Sequence, residues 1–186
     1  MRDAQSDALA PMPQSVVPGA ESSDGVRRIA TSVVIAAGVL LADQVTKWLA
    51  HTYLTRIPDQ SIPIIGDFLR LTYVANRGAA FGILQDRTVF FVLIGIAVIV
   101  VIIASYRYFK VTGWLLNVAL GLQLGGAIGN LIDRVRNGYV VDFIDVAIRP
   151  AFSWPVFNVA DSAICIGVGI LAFHMMRTPK PKPATN

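Results

Sequence analysis

The sequence predicts an all-α membrane protein, a bundle of four transmembrane helices, and three observations carry that prediction. Of its 186 residues, 54% are hydrophobic and only 15% charged, with a mean hydropathy of +0.59. A soluble domain carries about 45–50% apolar and about 25% charged residues. Four apolar stretches, at residues 29–50, 88–106, 111–132 and 158–176, approach or exceed the roughly 20 residues that cross a bilayer core. Finally, the ionisable residues associated with these stretches gather at their ends.

Composition also narrows the function. The single cysteine, Cys165, sits in an apolar run, so neither a disulfide framework nor a Cys-based metal site is available. His51 and His174, far apart and each beside an apolar segment, are read as interfacial structural residues, and no metal or other cofactor is implied. The net charge of +4 suits anionic lipid headgroups. The basic residues form no long cluster, which argues against a nucleic-acid partner. One membrane domain is expected over residues 27–177, between an N-terminal tail (1–26) and a short C-terminal tail (178–186).

Residues 1–26 are rich in Ala, Pro, Ser and acids without apolar periodicity, the composition of a disordered tail. Arg27 and Arg28 precede the first apolar run, in the manner of a signal peptide, but no small-residue cleavage site follows. The helix is expected to continue through Asp43, Gln44, Lys47 and Trp48 to about residue 50. Residues 52–82 are too long for a tight turn. Leu69, Leu71 and Tyr73 alternate there with Arg70 and Thr72, as in a strand, and Pro58, Pro63 and Gly66 punctuate the segment. The second span, 88–106, is dense in Ile and Val and has almost no polar feature, which marks it as the most lipid-exposed helix. In the third, 111–132, Gly121, Gly125 and Gly129 recur every four residues along one face. Small residues at that spacing let membrane helices approach closely, so this helix is expected to be buried among the others. Residues 134–155 hold an Asn137-Gly138 turn signal, then an amphipathic segment from Tyr139 to Ile148 that fits either a strand or a short helix. Asp161 is the one charge of the last span.

Four spans put both termini on one side. Lys and Arg divide evenly between the two sides, but Arg27, Arg28, Arg107, Lys110 and Arg177 lie tight against span ends with no acid beside them. The orientation rule therefore favours cytoplasmic termini. In that topology helix 1 ends at Asp43 and Lys47, helix 3 ends at Asn130, Asp133 and Arg134, and helix 4 begins at Asn158 and Asp161, all at the outer face. Ionisable groups at a helix centre cost about 2.5–3.5 kcal/mol each, so such convergence requires a reason.

Asp43 and Lys47 are spaced i, i+4 in the order favoured for a helical ion pair, which fits simple stabilisation as well as substrate orientation. Asn130, Asp133 and Arg134 form a polar cluster too dense for packing alone. The Asn76–Gly82 block fits a turn into helix 2, and equally an Asn amide offered to a peptide backbone with small residues leaving room for it. Asn158 is a favoured N-cap, and an acid in the first turn complements the helix dipole. Capping explains Asp161 less well, because a long apolar sequence follows it. A second carboxylate nearby, from Asp142 or Asp145, would make a dyad in which one group keeps a proton while the other stays a base. Such a pair activates water and protonates a leaving amine with no metal and no covalent intermediate. Ser153 and Ser162 have no plausible His or Lys activator, which leaves serine chemistry without support.

Five blocks taken together resemble the lipoprotein signal peptidase family, also called signal peptidase II or prolipoprotein signal peptidase. They are Asp43-Gln44-x-x-Lys47, Asn76-x-Gly78-Ala79-Ala80-Phe81-Gly82, Gly125-Gly126-Ala127-x-Gly129-Asn130-x-x-Asp133-Arg134, Val140-Val141-Asp142-Phe143 and Phe157-Asn158-x-Ala160-Asp161. The resemblance covers most of residues 29–176. It implies a multi-pass aspartic endopeptidase of the bacterial inner (cytoplasmic) membrane that cuts signal peptides from prolipoproteins just before a diacylglyceryl-modified cysteine. Its two catalytic aspartates fall on Asp142 and Asp161. The residues matching its substrate- and inhibitor-contacting set are Asp43, Lys47, Asn76, Asn130, Asp133, Arg134 and Asn158. The implied partners are lipid-modified prolipoproteins, membrane lipids and globomycin-type cyclic peptide inhibitors. The resemblance also implies that residues 52–82 form a small outer-face β-cradle and residues 134–155 an outer-face gating segment. Two rival readings use the same residues differently: a small proton-coupled transporter relaying protons through these acids, and a non-catalytic assembly subunit packed by its glycines. The transporter reading lacks an acid at mid-depth in helix 2 or 3 to carry protons across.

Overall fold

The structure, a computed structural model, describes residues 20–78, 87–108, 113–148 and 152–177. Four helices, α1 (Ala20–Leu54), α2 (Thr88–Tyr108), α3 (Trp114–Asn137) and α4 (Val159–Arg177), are each long and apolar enough to cross a membrane. Four strands, β1 (Ser61–Ile65), β2 (Leu69–Asn76), β3 (Val140–Ile148) and β4 (Phe152–Ser153), lie in the connections α1–α2 and α3–α4. They form one antiparallel sheet in the order β1-β2-β3-β4 at one end of the bundle.

The described helices extend past the apolar stretches, and at the end of α3 a backbone cap rather than hydropathy sets the boundary. The first helix, expected over 29–50, runs from Ala20 to Leu54, about 50 Å at 1.5 Å per residue against a core of about 30 Å. The charged residues around Arg27 end the hydrophobic stretch without breaking the helix, so residues 20–26 of the expected tail are helical; residues 1–19 and 178–186 lie outside the described residues. The third helix, expected over 111–132, begins after Gly113 and continues to Asn137. Gly138 stops it in a left-handed conformation (φ 79°), its N–H donating to the Arg134 carbonyl at 3.1 Å, the usual helix C-cap for glycine. The Asn137-Gly138 signal is therefore a cap, and it adds a further turn carrying Asp133, Arg134 and Arg136. The second and fourth helices, expected over 88–106 and 158–176, run Thr88–Tyr108 and Val159–Arg177.

Helix α3 is the hub and packs against α1, α2 and α4. Half of its span is buried, against 6% for α2, which packs chiefly on α3 and otherwise exposes Ile and Val to the surroundings. The glycines explain the close approaches. A Cβ on Gly121 would meet the Ser32 carbonyl oxygen at 2.8 Å and one on Gly125 the Ala36 carbonyl oxygen at 2.6 Å, both on α1. One on Gly126 would collide with the Ala160 carbonyl on α4, and α4 answers with Gly167 against the Ala119 carbonyl of α3. Backbones this close leave no room for any other residue.

The alternation in 69–73 is a strand, as expected. Leu71 and Tyr73 pack on a small apolar cluster of Ala50, Leu54 and Phe143 that joins α1 to the sheet. On the other side, Arg70 pairs with Asp67, and Thr72 donates to Asp145. Residues 140–148, which fit either strand or helix in isolation, are a strand because β2 supplies their backbone partners: Asn76 lies opposite Val140, and Val74 opposite Asp142.

Candidate active site

A cavity of about 490 Å³ opens where the ends of α3, β2 and β3 meet the start of α4. Asp142 and Asp161 both line it. Asp142 projects from β3 and is essentially inaccessible (1% exposed). Its Oδ2 accepts from Asn76 Nδ2 at 2.8 Å and its Oδ1 from Asn158 Nδ2 at 2.7 Å. Asp161 accepts from Asn130 Nδ2 at 2.7 Å on Oδ1 and from the Asn158 backbone N–H at 3.3 Å on Oδ2. Asn158 therefore touches both acids, one through its side chain and the other through its backbone. Its Oδ1 in turn accepts the Asp161 N–H at 2.9 Å, so Asn158 and Asp161 form a reciprocal cap at the start of α4. Capping and site geometry here are one arrangement.

Burial is the main influence holding the Asp142 carboxyl up at about 7, and the negative charge of Asp161 raises it further, while hydrogen bonds from Asn76 and Asn158 and the charge of Lys47 oppose the shift. Two carboxylates facing one poorly solvated cavity cannot both ionise freely, so the pair retains a proton near neutral pH. Asp145 points elsewhere: three residues along the strand, it accepts from Thr72 on β2 and does not line the cavity.

The seven residues expected to contact substrate separate into two layers. Asn76, Asn130 and Arg134 line the cavity, with the Arg134 guanidinium carbon 5.2 Å from the centre of the Phe91 ring on α2. Asn158 is fully buried behind the two acids. Asp43, Lys47 and Asp133 do not reach this cavity and form a buried layer beneath it. Lys47 Nζ lies 2.8 Å from Asp43 Oδ2 and 3.0 Å from Asp133 Oδ2, and donates to Asn130 Oδ1 at 2.9 Å. Asp43 Oδ1 accepts the Ala160 N–H at 2.9 Å, so an acid of α1 helps to cap α4. Asp133 Oδ2 accepts the Val141 N–H at 3.1 Å and fixes the start of β3. A Cβ on Gly129 would meet Asp43 Oδ2 at 2.5 Å, which is why glycine stands there. The Asp43–Lys47 pair is thus not a simple interfacial helix pair; it is the base that orients Asn130, β3 and α4.

Some features of the site have little signal in the sequence. Gln44 stands inside a motif without distinctive chemistry of its own, yet its amide reaches Asp43, the Gly129 carbonyl and Asp133 at 3.2–3.3 Å. Trp154, Pro155, Val156 and Phe157 form one wall of the cavity. They carry no group with distinctive chemistry; the only available signal was an apolar run directly before a helix cap. Residues 79–82 of the Asn76 block lie outside the described residues.

Residues 35–177 match the family model for signal peptidase (SPase) II. Among curated relatives, the lipoprotein signal peptidase of Moorella thermoacetica is 48% identical over 144 residues, covering 77% of this chain and 91% of that protein. That of Caldanaerobacter subterraneus subsp. tengcongensis is 53% identical over 145 residues, covering 78% and 95%. A solved bacterial membrane enzyme, determined by the in meso method at 2.3 Å resolution, superposes with a TM-score of 0.73 at 37% identity, covering 84% of this chain and 94% of that one.

Proposed function

The chain belongs to the signal peptidase II family and is a multi-pass bacterial membrane peptidase that removes signal peptides from prolipoproteins; from that premise we propose that it is an aspartic endopeptidase whose catalytic pair is Asp142 and Asp161. The observation that carries this reading is the pair of carboxylates on one cavity wall, bridged by Asn158, with Asp142 held up at about 7. One ionised carboxylate takes a proton from water as the water adds to the scissile carbonyl, whose oxygen takes the proton of the partner; the first carboxyl then gives its proton to the leaving amine while the second recovers one from the diol hydroxyl. The two groups exchange roles through one shared proton, so the dyad acts as a unit.

The surrounding residues have distinct parts in this proposal. Asn76 and Asn130 hold the carboxylates and present amide edges toward an extended peptide; Arg134 stands at the cavity wall to meet substrate carbonyls or headgroup oxygens. Asn158, Asp43, Lys47 and Asp133 act as positioning residues. The substrate is a prolipoprotein carrying a diacylglyceryl group on the cysteine after the scissile bond, its acyl chains lying between helices. The apolar wall of Trp154 to Phe157 would cover the peptide, and globomycin-type cyclic peptides would compete for the same cavity. In this reading both termini are cytoplasmic, the inner (cytoplasmic) membrane is the location, and the sheet forms a cradle on the outer face.

The test is cleavage of a diacylglyceryl-modified prolipoprotein by the purified protein. Asp142→Asn and Asp161→Asn should each lower kcat/KM by at least about 10³-fold, because general acid–base work alone supplies about 10²–10⁴ and the variants also lose water activation. Wild-type turnover in either variant rejects the dyad. The same assay should show activity declining as pH rises through about 7, where the shared proton is lost. The stability sign runs the same way: the folded state holds a proton that a free carboxyl releases near 3.8, so this contribution is complete below that value and disappears through about 7.

A further inference from the structure

On the opposite side of the Lys47 layer from the catalytic cavity lies a second cleft of about 290 Å³, between α1, the last turn of α3 and the start of β3. The Lys47–Asp133 ion pair is its floor, and Trp48, His51, Arg136, Asn137 and Tyr139 surround it. The accessible groups are predominantly donors. Arg136 and Asn137 are exposed, and among the described residues their side chains make no hydrogen bond or ion pair. Tyr139 accepts from Tyr73 at 3.3 Å and keeps its own proton to donate; with that proton of Tyr73 used, His51 donates through Nδ1 to the Tyr73 hydroxyl at 3.3 Å and so fixes the tyrosine pair. The two carboxylates are already committed, Asp133 to Lys47, Gln44 and the Val141 N–H, and Asp43 to Lys47, Gln44 and the Ala160 N–H.

The cleft also sits at a defined depth. Trp48 (61% exposed) projects from α1 at its edge, an aromatic residue of the kind expected at headgroup level. Below it Leu41 and Val45 continue the Trp48 strip at helical spacing and are exposed. A polar, donor-lined cleft above an apolar strip fits an amphipathic ligand with an acceptor-rich head and a hydrocarbon tail. We infer that this cleft is a phospholipid site, in which Arg136, Asn137 and Tyr139 hold the phosphodiester while an acyl chain lies along Trp48, Val45 and Leu41. The carboxylates of Asp43 and Asp133 are balanced by Lys47 and Arg136, so selection rests on directed hydrogen bonds rather than on net charge. The ligand is therefore the phosphodiester group common to phosphatidylethanolamine and phosphatidylglycerol.

This inference is independent of the catalytic dyad, and binding rather than turnover tests it. The purified full chain, stripped of lipid in a glycoside detergent, is titrated with phosphatidylethanolamine, phosphatidylglycerol or a diacyl glycolipid of the same chains, and bound lipid is counted by native mass spectrometry. One phospholipid should be retained and the phosphate-free glycolipid should not. Arg136→Gln should weaken retention about fivefold, the effect of one basic residue at a lipid headgroup, and Arg136→Lys should restore most of it. Tyr139→Phe, which removes the other donor hydroxyl and keeps the ring, gives a second variant should the first unfold. Equal retention of glycolipid and phospholipid, or unchanged retention in both Arg136→Gln and Tyr139→Phe, overturns the site. Soluble glycerol phosphate binding as tightly as the lipid overturns the membrane origin of the ligand.

Discussion

Helices α2 and α3 are neighbours long enough to cross the same bilayer, and they solve opposite problems. The α2 span has a hydropathy of 3.0 and is 6% buried; the α3 span has a hydropathy of 1.5 and is half buried. In water the more hydrophobic helix would be the inner one. In a bilayer the lipid already satisfies Ile and Val, so interior places go to residues that gain from a protein neighbour: glycines that admit a facing backbone, and polar groups that need partners. The fall in hydropathy from α2 to α3 therefore marks where the protein packs and where its polar groups converge.

The largest departure from that contrast is expected at the base of the α3 cluster. Lys47→Met retains the stem of the side chain and removes the cation shared by Asp43 and Asp133. Removing one partner of a buried ion network costs about 3–5 kcal/mol, because the remaining charges are left unpaired. Since Asp43 helps to cap α4 and Lys47 orients Asn130, both the unfolding midpoint in detergent and peptidase activity should fall. A midpoint equal to that of the wild type would mean that this layer has no structural weight.

A smaller loss tests packing alone. Gly126→Ala adds one methyl, but the methyl must enter the space held by the Ala160 carbonyl and approach Ile164 Cγ1 at 2.8 Å. Neither α3 nor α4 can yield without disturbing the caps of α4, and overpacking of this kind costs about 1–3 kcal/mol. The unfolding midpoint should drop, and activity should drop with it because α4 carries Asp161. An unchanged midpoint would show that the α3–α4 contact is looser than this spacing demands.

How far the sequence discloses this arrangement follows from where each signal is stored. Spans are legible because hydropathy is a local sum, and the Gly121–Gly125–Gly129 face is legible because helical spacing is local. Helix ends are hard to read where polarity and backbone conformation part company, as at Gly138, where a left-handed glycine stops α3 beyond its apolar stretch. The strand at 140–148 could not be separated from a helix because its partner, β2, lies far back in the chain. The i, i+4 spacing of Asp43 and Lys47 is visible, but the partners that turn the pair into a buried base, Asp133 and the Ala160 N–H, come from other helices. Likewise, spacing could not choose between Asp142 and Asp145; what separates them is that one turns to the cavity and the other to Thr72.

The smallest effect is expected from the matching change in α2, and it is the control that makes the comparison informative. Gly95 also faces α3, but a Cβ there would meet only the Leu131 side chain, at 3.4 Å from Cδ1 and 3.8 Å from Cβ, which is ordinary contact. Gly95→Ala also removes the conformational freedom that glycine costs a helix, about 0.5–1 kcal/mol relative to alanine in water. The midpoint should therefore stay constant or rise, by no more than about 1 kcal/mol, with activity unchanged. The chemical change is identical to Gly126→Ala, one hydrogen to one methyl in a membrane helix, so helix propensity cancels between the two variants. What remains is the difference between a facing side chain that can move and a facing carbonyl that cannot. Similar losses at both positions would assign the effect to the helices in general and remove α3 from its place as the packed hub.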